Sequence, residues 1–356
     1  MGKVRIAVQG CCHGELNKVL EQVCKIHEEN PLDLLLILGD FQSIRDETDL
    51  QSLSVPPKYQ RMGDFHEYYM NDEFKLPCMT VFIGGNHESM RHLMLLPHGG
   101  YVAPNLFYMG YSNVLWYRGV RIGGLSGIWK RWDYEKVRPT WEELEKTESW
   151  AKRKKELYHV RRTEVEPLEK IQQPVDIFMS HDWPNGVAYH GDLRALLNKK
   201  PFFEKDIQQR QLGSPVSWQL LRQLKPRWWL SAHLHVRYEA VVKHGKRKVT
   251  NENELELDLS DEEKEEEPSE TRFLALDKCL PRRRWLEVIE VDADESHESW
   301  KHSGSLYWDR EFISNLRGIP ASDYQIPAYS TGIQRQEELQ TSQFVQRFFN
   351  DCLKNS

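Results

Sequence analysis

Short runs of consecutive apolar residues recur along this chain, and the most regular of them close on glycine or histidine followed by polar side chains. Val4-Arg5-Ile6-Ala7-Val8-Gln9 breaks at Gly10 and is followed by Cys11, Cys12, His13 and Gly14. Leu34 to Leu38 breaks at Gly39-Asp40, and Met79 to Ile83 at Gly84-Gly85-Asn86-His87-Glu88. Val175 to Ser180 leads into His181-Asp182, and Trp228 to Ala232 into His233-Leu234-His235. Unbroken runs of this kind predict strands covered on both faces. After Glu15 the residues Leu16, Val19, Leu20, Val23 and Ile26 keep helical spacing, which predicts a helix that stops before Pro31. Strand, helix, strand is the order of a parallel pair inside an α/β sheet. Leu106 to Met109, Val114 to Tyr117 and Val120 to Ile122, with a turn at Arg118-Gly119, predict hairpins in a second sheet packed on the first. Arg272 to Leu276 and Trp285 to Val291 read as strands that rejoin the sheet, and a helix is predicted near 334–353.

Composition bounds this picture without deciding it. The 356 residues are enough for one large domain or two ordinary ones. A mean hydropathy of -0.67, with no long apolar stretch, argues against a membrane span. The N-terminus runs into a strand with no signal-peptide pattern, and six scattered cysteines do not form a disulfide framework, so a reducing compartment is expected. The net charge of -6 is unevenly spread. Residues 251–270 hold eleven acidic side chains against one lysine, so that segment carries -10 and the remainder +4. A block of this kind reads as a solvated loop.

The chemistry lies at the strand ends, which bring Cys11, His13, Asp40, Asn86, His87, His181, His233 and His235. A lone histidine or cysteine is more often a core or surface residue than a ligand. Five separate segments placing N, O and S donors at the same position relative to an apolar run reverse that weighting. In extended chain His233 and His235 share a face, as two ligands of one site would. At Gly84-Gly85 the paired glycines allow a tight turn and a close approach of backbone to a ligand. His27, His66, His98 and His159 lack this context. Between Trp129 and Thr163, Trp129, Trp132, Trp141 and Trp150 alternate with Lys130, Arg131, Arg138 and Lys152 to Lys155, a mixture suited to base stacking and phosphate contact or, more plainly, to an amphipathic surface helix.

The motifs Cys11-x-His13, Gly39-Asp40, Gly85-Asn86-His87-Glu88, His181 and His233-x-His235 resemble, in order and spacing, those of the calcineurin-like metallophosphoesterases over roughly the first 240 residues. The resemblance implies two packed β-sheets flanked by helices, an αββα sandwich of the α/β class, holding two metal ions. It implies that Asp40 bridges them, with His13 and His235 on one and Asn86, His181 and His233 on the other, and that His87 is the unligated proton donor. Cys11 stands where the wider family has aspartate, and this narrows the resemblance to the RNA lariat debranching enzymes. Gly10 to Leu16, Val55-Pro56-Pro57-Lys58-Tyr59, Gly99 to Asn105, Ser180 to Pro184 and Leu212-Gly213-Ser214-Pro215 resemble their sequences too. The implied reaction is hydrolysis of the 2′-5′ bond of branched intron RNA, with Trp129 to Thr163 at the position of the lariat-recognition loop and a nuclear location.

Phosphodiester hydrolysis needs a nucleophile at neutral pH, neutralisation of charge on the phosphoryl oxygens and a proton for the leaving alkoxide. Divalent metals supply the first two and His87 the third, with Glu88 or another acceptor fixing the His87 tautomer. A Cys11 thiolate favours Zn(II) or Fe(II), and the carboxylate and imidazoles also admit Mn(II). The rivals are a general phosphodiesterase or nuclease on the same scaffold and a non-catalytic binding module. A protein phosphatase is disfavoured because Phe41-Gln42-Ser43 follows Asp40. The expected organisation is a core over residues 1–250 with the inserted loop at about 129–163, an acidic loop at 251–270, strands at 271–291 and a smaller C-terminal region at 292–356.

Overall fold

The computed structural model describes residues 2–71, 73–74, 76–139, 143, 150–245, 270–302, 304–317 and 325–326. Thirteen strands among them form two sheets. The first has the order β12-β1-β2-β3-β5-β4, with β1 Lys3–Gln9, β2 Leu34–Ile37, β3 Met79–Phe82, β4 Gly100–Ala103, β5 Leu106–Tyr108 and β12 Leu286–Asp292. The second runs β10-β11-β9-β8-β7-β6-β13, with β6 Ser112–Tyr117, β7 Val120–Leu125, β8 Ile177–Ser180, β9 Trp228–Ser231, β10 Tyr238–Lys243, β11 Glu270–Ala275 and β13 Leu306–Trp308.

The unbroken apolar runs follow from burial on both faces. Leu34 and Leu36 point between the sheets, where they meet Val4, Ile6, Val8 and Val81 and, from the second sheet, Ile122, Ile177, Met179 and Leu230. Leu35 and Ile37 point the other way, onto Leu16, Val19, Leu20 and Val23 of helix α1, Leu16–Glu29. That helix connects β1 to β2, which pair in parallel as the strand-helix-strand order requires. β2 with β3 and β8 with β9 are also parallel. The strands that carry chemistry therefore all end at the same edge of the sandwich, where α/β sheets place ligands.

Three regions differ from the sequence expectation. The strands on either side of residue 280 rejoin different sheets: β11 lies between β9 and β10, whereas β12 is antiparallel to β1 at the edge of the first sheet. Glu270, counted with the acidic segment, is already the first residue of β11 and pairs with Lys243, an opposite-charge cross-strand pair. Beyond Asp292, β13 closes the second sheet on β6, and helix Arg310–Arg317 follows it. Asp309 ties this end down by pairing with buried Arg121 on β7 at 2.7 Å. A three-residue strand followed by a polar-rich helix offers too short a period to read. The rest of the acidic segment and the helix expected near 334–353 lie outside the described residues. Among the described residues, the five cysteines are unpaired and no helix is long and apolar enough to cross a membrane.

Candidate metal centre and catalytic cleft

The ends of β1, β2 and β9 deliver their side chains by turning sharply. His13, Asp40, His233 and His235 all have φ between 49° and 62°, in the left-handed region that costs a non-glycine residue on the order of 1 kcal/mol. Four such residues at one edge mark a place where convergence of side chains has displaced relaxed backbone. Cys11, His13, Asp40 and His235 each offer a ligand atom, and these atoms lie within 4.8 Å of one another. His13 Nε2 and His235 Nε2 face each other at 3.1 Å. Asp40 Oδ2, 3.6 Å from His13 Nε2, is buried without a hydrogen-bond partner.

A second group shares Asp40. His181 Nε2 is 3.4 Å from Asp40 Oδ1 and 3.2 Å from Asn86 Oδ1. Its Nδ1–H donates to the Leu38 carbonyl at 2.7 Å, which fixes the tautomer and leaves Nε2 with a lone pair directed at two oxygens. The His233 ring lies 5.0 Å from that of His181, and the His233 N–H donates to Cys11 Sγ at 3.2 Å. Every metal ligand expected from the strand ends is thus at one edge, in two groups joined by Asp40.

The electrostatics fit cations here. Burial, reinforced by neighbouring imidazoles, pushes His233 and His235 down to about 3, so they stand as neutral donors. Burial alone would raise Asp40, but His181, His13 and His87 hold its carboxyl far below the usual range. Burial and Asp40 both push the Cys11 thiol up, so its thiolate form calls for a positive partner. An orphaned buried carboxylate oxygen, facing lone pairs and a buried sulfur form an incomplete set until a cation joins them. The S, N and O donors suit a divalent transition metal.

The glycines and Glu88 act differently from expectation. A Cβ on Gly85 would stand 2.3 Å from Asp40 Oδ1 and 2.7 Å from His181 Cε1, so only glycine lets these two ligands approach. A Cβ on Gly84 would meet nothing nearer than 3.5 Å, so Gly84 is not required for the close approach. Glu88 does not orient His87. Its carboxylate turns into the protein and accepts from Phe41 N, Gln42 N and Gly85 N at 2.7–2.9 Å, bracing the Asp40 turn. His87 Nδ1–H instead donates to the Ser54 carbonyl at 3.1 Å, while Asn86 Nδ2 lies 3.0 Å from its Nε2. A backbone carbonyl leaves no trace in sequence, so this partner was not foreseeable.

Segment 129–163 reaches His87 through that same residue. Lys154, on helix Trp150–Glu156, donates to the Leu53 carbonyl at 3.0 Å, and the Tyr158 hydroxyl lies close to the Ser54 side chain. Much of the segment's charge is spent internally. Arg138 lies over the Tyr111 ring at 3.8 Å and pairs with Glu164, and buried His159 pairs with Asp133 at 2.6 Å. Arg138 is therefore withdrawn from phosphate contact. Trp132 is two-thirds exposed, with Lys130 over its ring. Trp141 lies outside the described residues.

A cleft of about 670 Å³ opens over the centre, lined by His13, His87 and His235 and walled by Lys58, Tyr59 and Arg61 on one side and Lys278 and Leu280 on the other. The Val55 to Tyr59 motif thus forms a wall of the cleft. Lys278, in the turn between β11 and β12, gave no sequence signal because its place depends on the parallel bridge between Cys11 and Lys278.

Comparison with known proteins agrees with this geometry. Residues 4–237 match the calcineurin-like phosphoesterase family, and residues 268–345 match the C-terminal domain of lariat debranching enzymes. The chain is 53% identical to the lariat debranching enzyme of Saccharomyces cerevisiae, over 98% of this chain and 100% of that protein. It is 43% identical to the Homo sapiens lariat debranching enzyme over 88% of this chain, and spans only 53% of that protein's length. The Schizosaccharomyces pombe enzyme is 40% identical, over 89% of this chain and 78% of its own length.

Proposed function

The chain belongs to the lariat debranching enzymes, a family built on the calcineurin-like phosphoesterase domain, and from that premise we propose that it hydrolyses the 2′-5′ phosphodiester at the branch point of excised intron lariats. The observation that carries the chemistry is the double cluster around Asp40, in which seven donor side chains converge at the edge where His87 also stands. Cys11, His13, Asp40 and His235 would hold one divalent ion, and Asp40, Asn86, His181 and His233 a second. When bound, such ions supply charge neutralisation at the phosphoryl oxygens and a nucleophile at neutral pH. Cys11 favours Fe(II) or Zn(II), with Mn(II) admitted by the remaining donors.

The chain's own residues do the rest. Ser54 holds His87 by Nδ1, its ring lines the cleft, and its Nε2, which Asn86 Nδ2–H engages, must pass to the substrate for proton transfer. A proton carried on Nε2 is donated to the departing 2′ oxygen, so the alkoxide never has to form free. Lys58 and Lys278 give the cleft the positive charge that draws in a phosphate backbone, while Arg61 is paired with Glu15 at its rim. Lariats arise where introns are excised, and we place the enzyme in the nucleus, to be checked by imaging a tagged chain.

The deciding experiment offers purified full-length protein, with added Fe(II), Zn(II) or Mn(II), a branched RNA beside a linear RNA and an aryl phosphodiester. Release at the branch alone is expected. Equal cleavage of all three would assign a general phosphodiesterase, and binding without turnover a recognition module.

A further inference from the structure

Outside the cleft, the turn Lys200-Pro201-Phe202, between helices Leu193–Lys199 and Phe203–Gln208, combines three features. Phe202 is 68% exposed, level with Trp132, although its neighbour Phe203 is buried. Lys200 lies over the Phe202 ring at 5.7 Å. Lys200 is also close enough to Lys278, Asp277 and Arg283 to feel their charges, which puts the turn on the same side of the molecule as the Lys278 lining of the cleft. Single exposed apolar side chains are common, but an exposed phenyl ring is free to stack on a flat partner, a contact that would bury the area folding leaves in water. A ring beside lysines is the composition of a site that stacks a base and holds its phosphate.

The cleft repeats the arrangement nearer the chemistry. Tyr59 is 61% exposed with Lys58 over its ring at 4.8 Å. A branch nucleotide sends out three strands where a linear RNA sends two, so a debranching site needs one more exit than an ordinary nuclease. Segment 129–163 touches the chain just before Val55, which lines the cleft, and Lys278 lines it as well.

We propose that the Lys200–Phe202 turn is a stacking platform for a single-stranded RNA arm leaving the branch point, outside the catalytic cleft. The proposal rests on the debranching function inferred above. Its chemistry is base-tolerant: Phe202 offers a ring face and Lys200 a charge, with no group positioned to read base edges.

The test compares wild type, Phe202→Ala, Phe202→Trp and Lys200→Ala on a branched RNA whose three arms are each about ten nucleotides, within the range such platforms engage, and on versions trimmed to a single nucleotide one arm at a time. On the long-armed substrate, Phe202→Ala should raise KM roughly tenfold with kcat little changed, and Phe202→Trp should restore or lower KM. Lys200→Ala should raise KM less and flatten its salt dependence. Trimming one particular arm should abolish the difference between Phe202→Ala and wild type, which identifies the arm. An unchanged KM for Phe202→Ala, or a loss that persists whichever arm is trimmed, overturns the platform. Binding of unbranched single-stranded RNA by fluorescence anisotropy tests the same residue without relying on turnover: Phe202→Ala must weaken it. If wild type fails to cleave the branch, the debranching reading falls, and this binding measurement still decides the fate of Phe202.

Discussion

The strand-end edge and segment 129–163 are built from similar residue types and use them in opposite ways. At the edge, polar groups are turned toward shared points and left without protein partners: Asp40 Oδ2 is buried and unbonded, and His13 and His235 face each other nitrogen to nitrogen. In the segment, most charged groups are turned on one another, Arg138 on Glu164 and His159 on Asp133, with Trp129 Nε1 and Arg161 Nε the buried exceptions among the described residues. A satisfied network holds a shape, whereas an unsatisfied one waits for a ligand. Density of charged and aromatic residues therefore says little about which region does chemistry. What distinguishes them is whether the groups are already partnered.

The sharpest way to break this comparison is to remove the one group at the edge that is assigned a proton rather than a metal. His87→Ala should lower kcat by about 10²–10⁴ while branched-RNA binding stays near wild type, measured by single-turnover cleavage and by equilibrium binding. Preserved turnover would take His87 out of the mechanism. Next come the paired glycines. Gly85→Ala forces a methyl against Asp40 and His181 and should cost about a hundredfold or more in turnover, together with metal measured by elemental analysis. Gly84→Ala, with room for its methyl, should stay close to wild type. Equal effects at the two positions would mean that the turn itself, and not the approach of ligands, needs glycine. Cys11→Ser replaces a soft donor in a fully buried position and should weaken metal retention by about tenfold, with protein fold unchanged by circular dichroism. Metal content equal to wild type would remove the sulfur from the ligand set.

How much of this was legible in sequence depends on the physical origin of each signal. Strand ends were legible because burial on both faces imposes unbroken apolar runs, and the abrupt change to Gly-Asp or Gly-Asn-His marks the edge. Helix α1 was legible from its five spaced apolar residues, and the gathering of the candidate ligands at one edge from the coincidence of five such endings. The left-handed backbone at His13, Asp40, His233 and His235 was not, since nothing in those residue types requires positive φ. Nor were Ser54, which acts through its carbonyl, and Lys278, whose place is set by a bridge between residues far apart in sequence. Of the two acceptors offered for His87, Glu88 turns inward and another, the Ser54 carbonyl, takes the place, while Gly84 is not needed for the close approach. Adjacency in sequence says nothing about which way a side chain turns at a sharp bend.

The finest test concerns the point where the two regions meet. Tyr158 belongs to segment 129–163, yet its hydroxyl lies close to the side chain of Ser54, whose carbonyl fixes His87. If the segment only lies beside that loop, Tyr158→Phe, which keeps the ring and deletes its polar contact with Ser54, should leave catalysis alone or shift KM. If the segment positions the proton donor, the same change lets the Ser54 carbonyl drift and loosens the aim of Nε2 without touching substrate. The second outcome is expected: kcat should fall about threefold to tenfold, the effect of one net hydrogen bond, with KM and thermal stability near wild type. A double variant with His87→Ala should then show no further loss, because Tyr158 acts through His87 alone. Additive losses would instead separate Tyr158 from the proton donor, and segment 129–163 would not be coupled to the chemical step.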